Sequence, residues 1–246
     1  MKLVKEVAGR IFALWTLIWF IVTMFVFLIP YFIISRSPEP LRTHRFVRVS
    51  RAWMLFFLTG IGCPLTVYGK KHFRKGENYI VLFNHNSFMD VPISSPHVPG
   101  GNKTIAKTEI AKVPVFGLLY KMGSVLVDRK SETSRRESII KMKEVLAMGL
   151  HMSIYPEGTR NKTDQPLKPF HNGAFRLSVD TGKSIMPALI FHTRKVLPAG
   201  KSFYLIPHRL EMHFLPPVAP VSNDTAESLK ERVWNIMNDY YTKDSR

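Results

Sequence analysis

The sequence predicts an α/β fold, with a mostly parallel mixed sheet flanked by helices and an N-terminal two-helix membrane anchor. From residue 65 onward, short apolar runs of strand length alternate with longer amphipathic stretches, as they do in α/β layer folds. Before that point lies an uncharged apolar run, residues 11–35, which exceeds the roughly 20 residues needed to cross a bilayer. We therefore divide the chain into an anchor, 1–68, and an α/β domain, 69–246.

The anchor contains two apolar blocks that differ in continuity. The block 11–35 is longer than the apolar region of a cleaved signal peptide, which has about 7–15 residues, so we expect it to be retained. The second block, 52–68, is interrupted by two glycines and a proline, which favours a helix lying in the membrane interface. Either the first block spans the membrane, or the chain turns at Pro30 and both blocks enter one leaflet. We favour the second arrangement.

The chain is both strongly basic and apolar. It has 35 Lys and Arg against 18 Asp and Glu, a formal net charge of +17, and 46% hydrophobic residues. That apolar content excludes an intrinsically disordered chain, while the positive charge predicts binding to phosphates of anionic lipid or nucleic acid. Cations cluster at 36–75, around the second apolar block, as in segments that contact anionic lipid. The aromatic residues lie in apolar runs rather than between cations, which disfavours nucleic acid.

The elements of the α/β domain follow from the spacing of its apolar residues. Strands are predicted at 65–68, 79–83, 103–106, 124–127, 152–155, 186–191 and 210–214. Helices are predicted at 115–121, 132–148, 173–180 and 226–240. The single cysteine, Cys63, excludes an internal disulfide and a multi-thiolate zinc site.

A histidine and an aspartate follow the strand predicted at 79–83, in the run Asn84-His85-Asn86-Ser87-Phe88-Met89-Asp90. On one continuous helix, side chains five residues apart would differ by about 140° and point apart. A turn or helix start within this run would instead bring the carboxylate back to the imidazole. Such a pair suits a general base whose tautomer is fixed by an acid, although a lone match to this spacing is more often structural or accidental.

A polar turn, Tyr155-Pro156-Glu157-Gly158-Thr159-Arg160, follows the strand predicted at 152–155. It supplies an acid, a glycine that permits close approach, a hydroxyl and a bidentate phosphate donor. Loops at the carboxyl ends of strands are where α/β folds bind ligands. A third segment, 123–129, is a strand that ends in an acid and a base. Taken singly, the turn at 155–160 is also compatible with a charged surface turn, and the segment 123–129 with a salt-bridged strand end.

In order and spacing, these segments together resemble the glycerolipid acyltransferase family, most closely the bacterial 1-acylglycerol-3-phosphate acyltransferases. The resemblance covers about residues 60–195 and rests on the segments 84–90, 107–117, 123–129, 155–160, 170–175 and 185–190. It implies transfer of a fatty acyl group from a thioester of acyl-carrier protein or coenzyme A to the hydroxyl of a lysophospholipid. The closest match implies 1-acylglycerol-3-phosphate as the acceptor and phosphatidic acid as the product. It implies no metal and no bound cofactor.

The resemblance also implies residue roles and partners. His85 is the expected general base, with Asp90 holding it. The expected substrate-binding residues are Lys107, Arg129, Glu157, Gly158, Thr159 and Arg160. The expected partners are membrane lipids, the lysophospholipid acceptor and the acyl thioester, but not nucleic acid. We expect the protein at the inner, cytoplasmic membrane with its active site on the cytoplasmic side.

Two other functions stay open, the first because of a departure from the family. The family usually has lysine where His171 stands, so a cation expected near the acceptor is missing. Acylation of a different lysolipid, such as an amino-acid lipid, is therefore one alternative. The other is a non-catalytic polybasic protein that binds membranes.

Overall fold

A seven-stranded sheet lies at the centre of the computed structural model, which describes residues 2–128, 130–198 and 200–244. The strands are β1 (Leu65–Tyr68), β2 (Ile80–Phe83), β3 (Asn102–Lys107), β4 (Ser124–Val127), β5 (His151–Ile154), β6 (Ile185–Phe191) and β7 (Leu210–Phe214). Their order is β1-β7-β6-β2-β5-β3-β4. β6 and β7 pair antiparallel, and the other neighbouring strands pair parallel. The predicted mostly parallel mixed sheet is confirmed, and each predicted strand is present to within one residue at either end.

Eight helices accompany the sheet in the described ranges. They are α1 (Lys2–Ile34), α2 (Leu41–Gly60), α3 (Asp90–His97), α4 (Phe116–Gly123), α5 (Glu132–Ala147), α6 (Gly173–Thr181), α7 (Thr193–Val196) and α8 (Ala226–Asp244). Neither α3 nor α7 was predicted. The eight residues of α3 include Pro92 and Pro96, which hide its helical pattern, and α7 is only four residues long.

The two faces of the sheet bury separate apolar clusters. In β2, Val81 and Phe83 pack with α1, α2, α3 and α4 on one face. Ile80 and Leu82 pack with α5, α6 and α8 on the other. Successive side chains of a strand point to opposite faces, and β2 is buried on both because helices cover each side. The continuous apolar run of β2 is therefore what a central strand between two helical layers requires.

The helices α1 and α2 form an antiparallel hairpin on the first face. Trp15 Nε1 donates to the carbonyl of Gly60 at 3.0 Å, and the hydroxyls of Tyr31 and Ser50 lie 2.7 Å apart. The predicted turn at Pro30 is wrong, because α1 continues through it to Ile34 and the chain turns at 35–40. Packing on both sides of this proline stabilises the helix there: the rings of Phe27 and Tyr31 each contact the indole of Trp53.

The first part of α1 contacts the α/β domain. Near its start, the amide of Leu205 donates to the carbonyl of Gly9 at 3.0 Å, and Glu6 forms an ion pair with Lys201. A Cβ at Gly9 would overlap the ring of Tyr204, at 2.2 Å, so glycine permits this close approach. In the described part of the chain, α1 is the one helix long and apolar enough to cross a membrane.

The two-domain division at residue 68 stays a prediction. Residues 65–68 form β1 and pair with β7, so these four residues contribute to the sheet rather than to the helical hairpin.

Candidate active site

Three adjacent strands bring the candidate site residues together. β2 lies between β5 and β6, it is parallel to both, and the loops after the three strands therefore leave the same edge of the sheet. Those loops contain His85, the turn 155–160 and Arg194, respectively. This edge is the position at which open α/β sheets bind ligands.

The residue after β2, Asn84, extends the hydrogen bonding of the sheet with its side chain. Its Oδ1 accepts from the amide of Ile190 at 2.7 Å, and its Nδ2 donates to the carbonyl of the same residue at 3.0 Å. Asn84 is fully buried. The start of the loop that carries His85 is therefore held in a fixed position against β6.

His85 and Asp90 form the predicted pair. The Nδ1 of His85 lies 2.8 Å from Oδ2 of Asp90, which is fully buried, whereas 16% of the histidine side chain is exposed. The same Oδ2 accepts from the amides of Asn86 and Ser87 at 2.6 and 2.8 Å. Asp90 is the first residue of α3, so the predicted turn does bring the carboxylate back. With Nδ1–H donating to Asp90, Nε2 of His85 is left as the proton acceptor.

The aromatic ring of Tyr155 packs against the imidazole of His85. The rings of Tyr155 and His85 lie 4.4 Å apart at an angle of 32°. The hydroxyl of Tyr155 is 2.6 Å from that of Ser94 on α3, and burial raises the pKa of the tyrosine. The tyrosine therefore stays protonated and fixes the position of the histidine ring relative to the helix that carries Asp90.

The main chain of His85 is held by the second loop. Its amide donates to Oε1 of Glu157 at 2.7 Å, and its carbonyl accepts from the amide of Asn161 at 2.6 Å. Oε2 of Glu157 accepts from the amide of Lys168 at 3.2 Å. Only 1% of Glu157 is exposed, and burial raises its pKa to about 7. In this structure Glu157 orders the loop of His85, a contact that the sequence did not predict.

The rest of the turn presents polar groups toward the surface. Gly158 has φ = 69°, a left-handed conformation that glycine adopts without strain. The hydroxyl of Thr159 accepts from Nζ of Lys168 at 2.6 Å. The guanidinium of Arg160 lies over the ring of Phe88, 3.5 Å from its centroid. The turn therefore carries a partly exposed guanidinium next to the loop of His85.

Two predicted substrate-binding residues are not brought into this group of contacts. Lys107 is exposed at the end of β3, and β5 separates that strand from β2. Arg129 lies outside the described residues, so its predicted role is not addressed by the structure.

Arg194 is a site residue that the sequence analysis missed. Its guanidinium donates to Oδ1 of Asn86 at 3.1 Å and to the carbonyls of Asn161 and Thr163, both at 2.8 Å. It thereby joins the loop after β2 to the loop after β5. No local pattern marks this arginine, because its partners lie 31–108 residues away in the chain.

An apolar cavity of about 650 Å³ lies beside the site, between the hairpin and the domain. Phe88 and Met89, which stand between His85 and Asp90 in the chain, form part of its wall. Other lining residues are Leu17, Phe20, Trp53, Phe57, Phe116, Leu119, Tyr204 and Leu205. Within residues 2–128, 130–198 and 200–244, no cluster of three or more His, Cys, Asp or Glu side chains is arranged to hold a metal ion.

Known proteins are similar to this chain in sequence and in fold. A family model described as "Acyltransferase" matches residues 64–191, which is just over half of the 246-residue chain. The solved 1-acyl-sn-glycerophosphate (LPA) acyltransferase PlsC from Thermotoga maritima superposes with a TM-score of 0.80 over 96% of each chain, at 21% identity. At that identity, the superposition shows a shared fold.

Curated relatives carry one recurring name, 1-acyl-sn-glycerol-3-phosphate acyltransferase. The protein of that name from Cocos nucifera is 33% identical over 54% of this chain and 43% of its own length. The one from Borreliella burgdorferi is 28% identical over 78% of this chain and 76% of its own length. The chain spans about half the length of the first relatives it matches, 43% and 47%. Because the family model covers more than half of the residues and includes both loops of the site, the chain belongs to the acyltransferase family.

Proposed function

We propose that this protein transfers a fatty acyl group from a thioester to the free hydroxyl of a lysophospholipid. The proposed acceptor is 1-acylglycerol-3-phosphate, and the product is phosphatidic acid. The proposed donor is a fatty acyl thioester of acyl-carrier protein or of coenzyme A. The observation that carries the proposal is the His85–Asp90 pair, 2.8 Å apart, next to an apolar cavity of about 650 Å³. The names of the relatives support the choice of acceptor.

The chemistry follows from the tautomer that Asp90 favours. The Nε2 of His85 takes the proton of the acceptor hydroxyl, and the oxygen attacks the thioester carbonyl carbon. A carbon–oxygen bond forms, the carbon–sulfur bond breaks, and the proton passes from the imidazolium to the departing thiolate. The buried carboxylate of Asp90 stabilises the imidazolium while it exists. No serine nucleophile is needed, and the hydroxyl of the nearby Ser87 already donates to the carbonyl of Leu197.

The apolar cavity supports the fatty-acyl part of the proposal. Its lining is almost entirely carbon, from the hairpin, α4 and the segment around Tyr204 and Leu205. A fatty acyl chain buried there loses contact with water and gains about 0.8 kcal/mol for each methylene. Because Phe88 and Met89 line the cavity and belong to the loop of His85, a chain held in it would have its carbonyl end near the imidazole.

The hairpin supports an enzyme that works on a membrane surface. The outer face of α1 exposes Ile11, Leu14, Ile18, Ile21, Val22, Phe25, Val26, Ile29, Phe32 and Ile33, a patch of the kind that marks a membrane or protein contact. Near its start α1 is attached to the domain through Gly9 and Leu205, and near its end Tyr31 contacts Ser50 of α2. These contacts hold α1 against both the domain and α2, which favours a hairpin lying in one leaflet. The cytoplasmic membrane and the cytoplasmic side remain predictions.

The test is an acyl-transfer assay on the full chain in mixed micelles. Labelled acyl-carrier-protein and coenzyme A thioesters are each offered with 1-acylglycerol-3-phosphate, lysophosphatidylcholine, a lyso amino-acid lipid and monoacylglycerol. We expect phosphatidic acid as the main product. His85→Ala should lower the rate by about 10²–10⁴-fold, the usual contribution of a general base, without changing binding to vesicles.

The other outcomes distinguish the alternatives left open by the sequence. A product from the amino-acid lysolipid alone would keep the acyl transfer and change the acceptor. Vesicle binding without any product, or full activity of the His85→Ala protein, would contradict the proposed function and favour the non-catalytic membrane-binding protein.

A further inference from the structure

The cation that is missing at His171 is replaced by Lys168, which folds onto the same turn. Lys168 approaches the turn 157–160 twice: its amide donates to Glu157 at 3.2 Å, and its Nζ donates to Thr159 Oγ1 at 2.6 Å. The first contact fixes the backbone of Lys168, and the second holds its ammonium group on Thr159, the residue before Arg160 in the chain. We propose that Lys168 is a phosphate-binding residue of the acceptor site, acting together with Arg160.

Neither Lys168 nor Arg160 forms an ion pair among the side chains that the structure describes. The hydrogen-bond partner of the Lys168 ammonium is a neutral hydroxyl, and the guanidinium of Arg160 rests on an aromatic ring. Among the side chains that the structure describes, neither cation has a carboxylate within 4 Å. The nearby acid, Glu157, is buried and accepts two backbone amides instead. Two cations on one turn without an ion-pair partner can bind an anion from outside the chain.

A third nitrogen-bearing side chain closes the same turn. A Cβ added to Gly158 would lie 2.9 Å from Nε2 of His171, so the imidazole lies directly over the glycine. Lys168 offers a compact point charge and Arg160 a planar fork of donors. The combination suits a phosphate monoester, whose oxygens diverge and can accept from several directions at once.

The position of the turn relative to His85 fits the acceptor. In 1-acylglycerol-3-phosphate the hydroxyl to be acylated and the phosphate are on neighbouring carbon atoms, so both must bind within a short distance. The turn meets that requirement, because Glu157 accepts from the amide of His85 and Arg160 covers Phe88. This inference rests on the proposed function, since it assigns the phosphate of that acceptor.

The experiment compares three variants of the full chain: Lys168→Ala, Lys168→Arg and Lys162→Ala. Lys162 is an exposed lysine of the same loop and serves as the matched control. Steady-state rates are measured for 1-acylglycerol-3-phosphate and for monoacylglycerol, which has no phosphate, and binding of 1-acylglycerol-3-phosphate is measured calorimetrically without an acyl donor. Lys168→Ala should raise the KM and the Kd of the phosphate-bearing acceptor roughly 10- to 100-fold, as loss of a charged hydrogen bond does.

The remaining readouts separate a binding role from a structural one. The donor KM and any rate on monoacylglycerol should be unchanged in Lys168→Ala. Lys168→Arg should recover most of the affinity, and Lys162→Ala should match the wild type. A fall in kcat on both acceptors with an unchanged acceptor Kd, or equal effects of Lys168→Ala and Lys162→Ala, would overturn the assignment. The calorimetric Kd also separates the two proposals, because it reports on Lys168 even if the wild-type protein transfers no acyl group.

Discussion

The loops around His85 and the hairpin of α1 and α2 are stabilised by different forces. The amide, the carbonyl and Nδ1 of His85 each have a hydrogen-bond partner at 2.6–2.8 Å. The hairpin is held mainly by rings: Phe20 and Phe27 stack on Trp53 with centroids 5.5 and 6.1 Å apart. Hydrogen bonds are directional and apolar contacts are not. The loops therefore fix the position of His85, whereas the hairpin provides the exposed outer face of α1 and part of the cavity wall.

This difference predicts how the two regions respond to substitution. A change in the loops should alter the rate of the chemical step and leave the location of the protein unchanged. A change on the outer face of α1 should do the reverse. The three predictions below test that separation.

The largest expected effect is on the proposed catalytic pair, His85 and Asp90. Asp90→Asn keeps the size of the side chain but removes the negative charge that stabilises the imidazolium, so kcat should fall by about 10²–10⁴-fold. Initial acyl-transfer rates and vesicle binding are measured together, and binding should not change. The control is Asp180→Asn, which breaks a partly exposed ion pair with Lys143 on the opposite layer and should leave kcat as it is. Wild-type kcat in the Asp90→Asn protein would show that the pair is structural.

A smaller effect is expected from charges on the outer face of α1. Val22 and Val26 are exposed, one helical turn apart, and neither lines the cavity. The double variant Val22→Glu/Val26→Glu should lower partition into anionic vesicles about 100-fold, because two apolar side chains no longer enter the bilayer. Rates on micellar substrate should persist.

The matched control for α1 is Ile140→Glu. Ile140 is equally exposed but lies on α5, in the layer on the other side of the sheet. Its replacement should not affect partition. If both proteins bind vesicles as the wild type does, α1 is not the membrane-facing element.

The smallest effect concerns the buried acid Glu157, whose pKa is raised to about 7 from 4.5. Between these values the folded protein keeps a proton that the unfolded chain has released, so stability falls as the pH rises toward 7 and is not lost further above it. Between pH 6 and pH 8 this costs about 1 kcal/mol. Glu157→Gln cannot ionise, so its stability relative to the wild type should improve by that amount over the same interval.

Chemical denaturation in detergent at pH 6 and pH 8 measures this difference. Glu137→Gln, at an exposed position on α5, should show no such change. A constant gap between wild type and Glu157→Gln at the two pH values would mean that the burial of Glu157 does not control its ionisation.

The sequence predicted the sheet well because most of its strands, such as β2 and β6, are short apolar runs bounded by polar residues. It located His85, Asp90 and the turn at 155–160 because the residues of each group are close in the chain. It placed the end of α1 wrongly because Pro30 normally interrupts a helix, and only the packing of Phe27 and Tyr31 on Trp53 explains its continuation.

What the sequence could not predict are contacts made between loops. Arg194 reaches Asn86 across 108 residues, and its own surroundings in the chain contain no recognisable pattern. Lys168 contacts Thr159, nine residues away in the chain, and no local pattern marks it. His171, by contrast, stands at a position where the family usually has lysine. The phosphate-binding role of a turn depends on which cations fold back onto it, and spacing alone does not contain that information.

The side chain of Asn84 has a consequence for how accurately His85 is positioned. It pairs with Ile190 as a peptide group would, so the backbone of β2 can leave the sheet while the hydrogen bonding to β6 continues for one more position. His85 is thus separated by a single peptide bond from a residue as rigid as the sheet itself. No flexible segment lies between the sheet and His85, so the position of its imidazole is set by the strands.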